Sequence, residues 1–232
     1  MADKVTGGDF VRIEFTGKRK ANGSLIDTTD MKAAKEAGIH REGANYGPVL
    51  VVIGKGMVIK GIDEALDGMA VGESRTVDMP AEKAYGLRNP ALVRVMPLIE
   101  FRKRDINPYP GMVVDLDGTP AVVRSVTSGR VMVDMNHTLA GEALVFNVKI
   151  AEKVDGIEKR AKALLENNRL DGKVKPEGST LSVSMPPVSE PGDASYFVSK
   201  ISFLRAVKEL LPEVEEVSFE EKYAFREKKA AK

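Results

Sequence analysis

The sequence predicts an α+β fold: an antiparallel sheet wrapped on one short helix, with an inserted mostly-β lobe and a C-terminal α/β domain. Three observations lead there. Strand-length runs of period two stand near both ends of the first 150 or so residues, a single short run of helical period lies between them, and the pattern changes after about Ala151.

From Val11 to Thr16 apolar and polar residues alternate, which puts Val11, Ile13 and Phe15 on one face of a strand. Asn22 and Gly23 signal a hairpin that returns through Leu25 and Ile26 to Asp27, at a strand end. Residues 31–48 read as a short helix and a glycine-rich loop containing Tyr46 and Pro48. Val49 to Ile53 is an unbroken apolar run, the pattern of a strand buried on both faces. Ile62, Ala65, Leu66 and Met69 then fall at helical spacing, with Gly68 as the C-terminal cap. Ser74 to Met79 is a strand that Pro80 ends, and Leu144, Phe146, Val148 and Ile150 line one face of another.

Between Gly86 and Asn136 the chain leaves this sheet and returns to it. Three strand-like runs, Met112–Leu116, Ala121–Val126 and Val131–Asp134, are separated by the turn pairs Asp117-Gly118 and Ser128-Gly129. An excursion of about 50 residues is too long for a structureless loop and reads as an inserted lobe. Beyond it, Gly156–Asn168 and Val198–Leu211 read as helices, and Thr180–Met185 and Val214–Tyr223 as strands. The expected division is 1–86 with 137–151 for the sheet domain, 87–136 for the lobe and 152–232 for the C-terminal domain.

Composition narrows the function. The 35 Lys and Arg against 34 Asp and Glu give a net charge of +1, which argues against a dedicated nucleic-acid or polybasic membrane binder. With no cysteine, disulfide frameworks, thiolate zinc sites and Cys nucleophiles are excluded. Met1 to Phe10 is polar and no run of about 18 apolar residues occurs, so a cytoplasmic location is expected. His40 and His137 lie far apart in sequence and in no metal-ligand spacing, so neither a metal nor another cofactor is expected. Gly54, Gly56 and Gly61 superficially suggest a phosphate loop, but no GKS or GKT follows, and turn glycines are the simpler reading. Arg102, Lys103 and Arg104 read as a solvated face.

One ordered set remains: Phe15, Gly23-x-x-x-Asp27, Ile53-Gly54-x-Gly56-x-Val58-Ile59-x-Gly61, Met69-x-Val71-Gly72-Glu73, Ala84-Tyr85-Gly86 and Leu144-Val145-Phe146-x-Val148. Singly, each of these apolar residues reads as core and Asp27 as a hairpin end. In this order and spacing, over residues 5–151, they resemble the FKBP family of peptidyl-prolyl isomerases. The insertion after Tyr85-Gly86 and the return motif Asn136-His137-x-Leu139-Ala140-Gly141 are similar to the SlyD branch, where a chaperone lobe is inserted in the flap. With the extra C-terminal part, the chain looks like a long archaeal-type member.

The resemblance implies an apolar pocket with Asp27, Tyr85 and Phe146 as catalytic residues. Substrate-binding positions would be Phe15, Ile26, Val51, Val58, Ile59, Ile62, Leu139 and Ala140. The Ile59 N–H and the Tyr85 hydroxyl would hold substrate carbonyls, and Asp27 would be the pocket's one carboxylate. Phe15 stands where many members carry Tyr, Ile62 where some carry Trp, and Ile26, Val49 and Val51 where small members carry Phe; this leaner wall bears more on macrolide binding than on turnover. On the lobe, Met96, Leu98, Ile99, Phe101, Ile106, Tyr109 and Met112 are candidates for a surface that holds unfolded or nascent proline-containing chains, or for the lobe's own small core. A homodimer through the C-terminal domain is also implied. The rival functions are a catalytically silent holdase or assembly platform, and a ribosome-associated factor.

Overall fold

The computed structural model describes residues 3–186 and 194–223. In chain order it contains β1 (Phe10–Arg19), β2 (Leu25–Thr28), α1 (Met31–Glu36), β3 (Val49–Val52), α2 (Lys60–Leu66), β4 (Ser74–Met79), β5 (Val93–Pro97), α3 (Leu98–Arg102) and β6 (Val113–Leu116). It continues with β7 (Thr119–Thr127), β8 (Arg130–Asp134), β9 (Leu144–Lys153), α4 (Ile157–Asn167), β10 (Lys173–Glu177), β11 (Thr180–Ser184), α5 (Ala194–Leu210) and β12 (Glu216–Glu220). These mixed helices and largely antiparallel sheets make an α+β protein. Two compact units are present: the described residues of 1–18, 25–77 and 146–232, and those of 19–24 and 78–145.

The first unit is built on a sheet of order β2-β1-β9-β4, with β3 added to β1. β1 and β3 run antiparallel, pairing Phe10 with Val52 and Ile13 with Val49. Period-two alternation sends Val11 and Ile13 to one face and Phe10 to the other, and all three are buried. Leu50, Val51 and Val52 are likewise buried on alternating faces, as the unbroken run of β3 predicts. What covers the second face is the chain after β9. Phe10, Leu50 and Val52 share one buried cluster with Ala161, Leu164 and Leu165 of α4, Leu181 and Val183 of β11, and Phe203 and Val207 of α5.

The apolar spacing of Ala161, Leu164 and Leu165 gives α4 the stripe that meets the sheet. Ion pairs from Arg12 to Glu166 at 2.9 Å and from Lys153 to Asp9 at 3.1 Å lie beside this contact. The residues after α4 form a three-stranded sheet in which β11 pairs antiparallel with β10 and parallel with β12. β10 is not predicted from sequence, because Lys173, Lys175 and Pro176 disguise it and only pairing with β11 makes it a strand.

α5 is tied to β12 by a polar knot. Glu221 accepts hydrogen bonds from Tyr196 Oη at 2.6 Å, Lys200 Nζ at 2.5 Å and Tyr223 Oη at 2.7 Å. The Lys200 ammonium, with both phenols, holds this carboxyl down at about 2, against an ordinary 4.5. Burial and the neighbouring carboxylate push the Tyr196 phenol up. Because the folded value of Glu221 lies below the unfolded one, its stabilisation is full above pH 4.5 and is lost as pH falls toward 2. The effect is about 3 kcal/mol at most. Glu221→Gln is therefore expected to flatten the acid limb of thermal stability between those pH values, measured by circular dichroism against the parent chain.

The second unit contains a four-stranded antiparallel sheet of order β5-β8-β7-β6. Both of its turn pairs have positive φ at each residue, 54° and 84° at Asp117-Gly118 and 48° and 78° at Ser128-Gly129. That is the geometry of two-residue hairpin turns, which match the twist of the strands they join. The sequence shows three of the four strands. β5 is hidden because its apolar residues run without a break into α3, and period alone cannot divide such a run. Pro97 makes the division, closing β5 and standing at the N-cap of α3.

Candidate active site

In the first unit the site begins with Phe15 on the inner face of β1. Its backbone is held from the β2 side. The Phe15 N–H donates to Thr29 Oγ1 at 3.0 Å, the Thr29 N–H donates to the Phe15 carbonyl at 3.0 Å, and the Thr28 hydroxyl donates to that carbonyl at 3.2 Å. Both threonines are buried, so these bonds also satisfy hydroxyls that would otherwise be costly. Phe146 on β9 brings its ring centroid to 6.0 Å from that of Phe15, tilted by 50°. This is the offset geometry that ring quadrupoles favour.

Beneath Phe146 lies Gly17. A Cβ at that position would stand 2.4 Å from the ring's Cε1, so any side chain would displace the ring. This steric requirement is invisible in sequence, because it arises only once β1 and β9 lie side by side.

Val51 and Ile62 are buried, while Val58 and Ile59 are half-buried at the entrance to α2. Ile59 is the N-cap residue, its carbonyl accepting from the Ile62 and Asp63 N–H groups. Asp63 in turn accepts from the Gly54 N–H at 2.8 Å and the Gly56 N–H at 3.2 Å. The glycines are turn residues fixed by a carboxylate, an arrangement that leaves no cradle for phosphate.

A hollow of about 540 Å³ is lined by Phe15, Thr29, Tyr46, Asn147 and Lys149, with Glu14 and Asp30 as its carboxylates. Of the site residues expected from sequence only Phe15 lines it, and Asp27 lies elsewhere on the first unit. It is exposed, its Oδ1 accepts the N–H of Thr28 at 2.9 Å, and with Ile26 it lines a separate hollow of about 90 Å³. The alternation of β2 explains this: Thr28 turns toward Phe15, so its neighbour turns away. Tyr46, which sequence reasoning placed only in a loop, lines both hollows. Its ring stacks on His40 at 5.4 Å, and its hydroxyl accepts from the Arg41 N–H.

In the second unit Tyr85 occupies a turn after a short 3-10 segment, Ala81–Lys83, and before Gly86, whose φ is 79°. Its ring lies flat on that of His137, with centroids 4.2 Å apart and planes within 4°. Leu139 and Ala140 are buried; the Leu139 N–H donates to His137 Nδ1 at 3.2 Å and the Ala140 N–H to the His137 carbonyl at 2.9 Å.

Between this turn and the four-stranded sheet stands an ionic knot that sequence reasoning missed. Asp134, only 1% exposed, pairs with Arg88 and with Arg124 and also accepts from the Asn136 N–H at 2.9 Å. Two half-exposed guanidiniums thus neutralise one buried carboxylate.

The candidate surface residues of the lobe divide. Phe101 is corrected from surface to core: it is 2% exposed and packs among Val114, Ala121, Val123, Val131 and Val133. Met96, Leu98, Ile106 and Met112 are half-buried against that core, because so small a sheet needs every apolar neighbour to close its face. Ile99 at 59% and Tyr109 at 62% stay exposed, joined by Val95, Val113 and Met132.

Comparison with known proteins points one way. A family described as FKBP26, IF domain, matches residues 94–139. The chain is 37% identical over 152 residues to a short-type peptidyl-prolyl cis-trans isomerase of Methanocaldococcus jannaschii, covering 66% of this chain and 96% of that one. A probable FKBP-type 16 kDa peptidyl-prolyl cis-trans isomerase of Pseudomonas fluorescens is 32% identical over 139 residues, 58% of this chain and 82% of its own. The SlyD isomerase of Aeromonas hydrophila is 30% identical over 151 residues, 64% of each.

Proposed function

Because the chain belongs to the FKBP-type peptidyl-prolyl cis-trans isomerase family, we propose that it turns over X-Pro bonds against the tilted Phe15 and Phe146 rings and holds unfolded client chains on its four-stranded lobe. The enzyme is a peptidyl-prolyl cis-trans isomerase, and the ring pair over Gly17 is the observation that carries the assignment of its site.

Rotation about an X-Pro bond faces a barrier of about 18–20 kcal/mol, because the planar amide is stabilised by charge separation. Water solvates the planar amide better than the twisted one. Bringing the bond against apolar rings therefore lowers the barrier without a nucleophile or a proton transfer. A hundredfold to ten-thousandfold acceleration needs only about 2.7–5.5 kcal/mol, the scale of desolvation plus one or two placed hydrogen bonds.

In this reading the prolyl ring rests on Ile62 between Phe15 and Phe146, with Val51, Val58 and Ile59 completing the apolar lining. The Tyr85 hydroxyl donates to a carbonyl of the bound chain, Leu139 and Ala140 contact it, and the exposed Asp27 acts only through its field. The double variant Tyr85→Phe with Asp27→Ala is expected to slow catalysis of proline-limited refolding about tenfold or more. Unchanged catalysis would remove both residues from the mechanism.

Two further features support holding and assembly. β5 and β6 are open edges of the lobe sheet, flanked by the exposed Val95, Ile99, Tyr109 and Val113, a combination suited to adding an extended client strand. α5 has a second apolar face, with Phe197, Val198, Ile201 and Leu204 exposed opposite the buried Phe203 and Val207. A second copy of the chain is the proposed cover for that face. Among the described residues no helix is long and apolar enough to cross a membrane, and the balanced charge gives no support to a nucleic-acid partner.

A further inference from the structure

We propose that His137 is the positioning residue for Tyr85: its imidazole is the platform that fixes the phenol in the orientation needed to donate to a substrate carbonyl. The inference rests on the role assigned to Tyr85 above.

Tyr85 needs such a platform because its own backbone supplies little. It sits in a turn outside every strand and helix, between Ala84, with φ −100° and ψ −110°, and Gly86, with positive φ. The ring is half-buried. Stacked on it is a ring of the return segment of the chain, about fifty residues later. The imidazole lies parallel to the phenol ring at 4.2 Å, close enough that the two faces are in contact over much of their area.

The platform is itself fixed. His137 Nδ1 accepts the Leu139 N–H, so the neutral ring keeps its lone pair there and its proton on Nε2. The segments carrying the two rings are joined further along. The Gly141 N–H donates to the Gly86 carbonyl at 2.8 Å, and a Cβ at Gly141 would meet Arg88 Cγ at 3.0 Å. Asn89 and Asn136 exchange hydrogen bonds of 2.8 and 3.0 Å, and Arg88 pairs with Asp134. Residues 85–89 and 134–141 are therefore laced together, and Tyr85 at the end of the lacing is set by the ring of His137.

His137 does two separable things, and two substitutions separate them. His137→Asn keeps an acceptor close to where Nδ1 stands, so the turn through Leu139 persists, but it removes the ring. His137→Phe keeps a ring to stack on and removes the acceptor. If stacking positions the phenol, His137→Asn lowers kcat/KM on an Ala-Pro tetrapeptide by roughly 2- to 12-fold, the range expected for one aromatic pair. His137→Phe then recovers most of that loss. The ring-current shift of the Tyr85 ring protons in NMR spectra of the full chain should persist with Phe and vanish with Asn. In a Tyr85→Phe background, which retains the stack but has no hydroxyl, His137→Asn should cost nothing more.

The reverse order, with Asn active and Phe impaired, would reduce His137 to a turn residue and overturn the proposal, as would an undiminished loss in the Tyr85→Phe background. The two levels of the reading fail separately. Full activity of Tyr85→Phe alone would remove the phenol from catalysis, whereas an impaired Tyr85→Phe beside an intact His137→Asn would remove only the positioning role.

Discussion

Excision of residues 88–134, with a short linker in their place, is expected to leave turnover on tetrapeptides within about twofold while lowering catalysis of protein refolding about 100-fold, the scale set by losing a second point of attachment. The deletion suits the structure for three reasons. The lobe has its own core around Phe101, Val123 and Val133, which leaves with it as a whole. Arg88, Arg124 and Asp134 leave together, so no charge is left buried without its partner. Tyr85, His137 and the Gly141-to-Gly86 hydrogen bond lie outside the excised stretch. Protease-coupled assay of an Ala-Pro tetrapeptide beside proline-limited refolding of an unfolded protein measures both quantities. Equal losses on the two substrates would contradict a holding role for the lobe.

A second large effect is expected at the opposite face of the first sheet. Ending the chain after residue 153 would uncover Phe10, Leu50 and Val52, which are buried against α4, β11 and α5. At about 1.5–3 kcal/mol for each side chain, the loss is roughly 4–9 kcal/mol, comparable with the whole stability of an ordinary domain. The truncated chain is expected to be marginally folded, with a collapsed urea midpoint and poorly dispersed amide resonances. Leu164→Ala, at a residue 1% exposed in the same cluster, should cost about 2–5 kcal/mol in the full chain. An unchanged midpoint on truncation would show that the sheet does not depend on this cover.

That dependence marks where the sequence stops being legible. β1, β3, β4 and β9 are readable because period two, or an unbroken apolar run, is a local signal. The run at Val49 to Ile53 even announces a second covered face, but nothing in it names α4 as the cover. β5 and β10 are obscured, one by merging with a helix and the other by lysines and a proline.

At the site, residue types and order bring Phe15 and Phe146 into the same proposal before any contact is known. Two things needed three dimensions. Gly17 is required by the ring packed over it from β9, and Asp27 is turned to solvent by the alternation of a four-residue strand. Phe101 shows the same limit on the lobe: a short amphipathic helix offers both exposed and buried apolar positions, and only packing separates Ile99 from Phe101.

In the proposed mechanism the X-Pro bond rotates because apolar rings withdraw it from water, with no proton in flight. The most direct test is NMR exchange spectroscopy of an Ala-Pro peptide with the full chain, comparing H2O with D2O across the pH range in which the chain stays folded. A flat pH profile for kcat/KM and a solvent isotope effect of about 1 are expected, since in this mechanism no general acid or base takes part. A bell-shaped profile with an isotope effect of about 2 or more would be the mark of proton transfer in the rate-determining step and would contradict it.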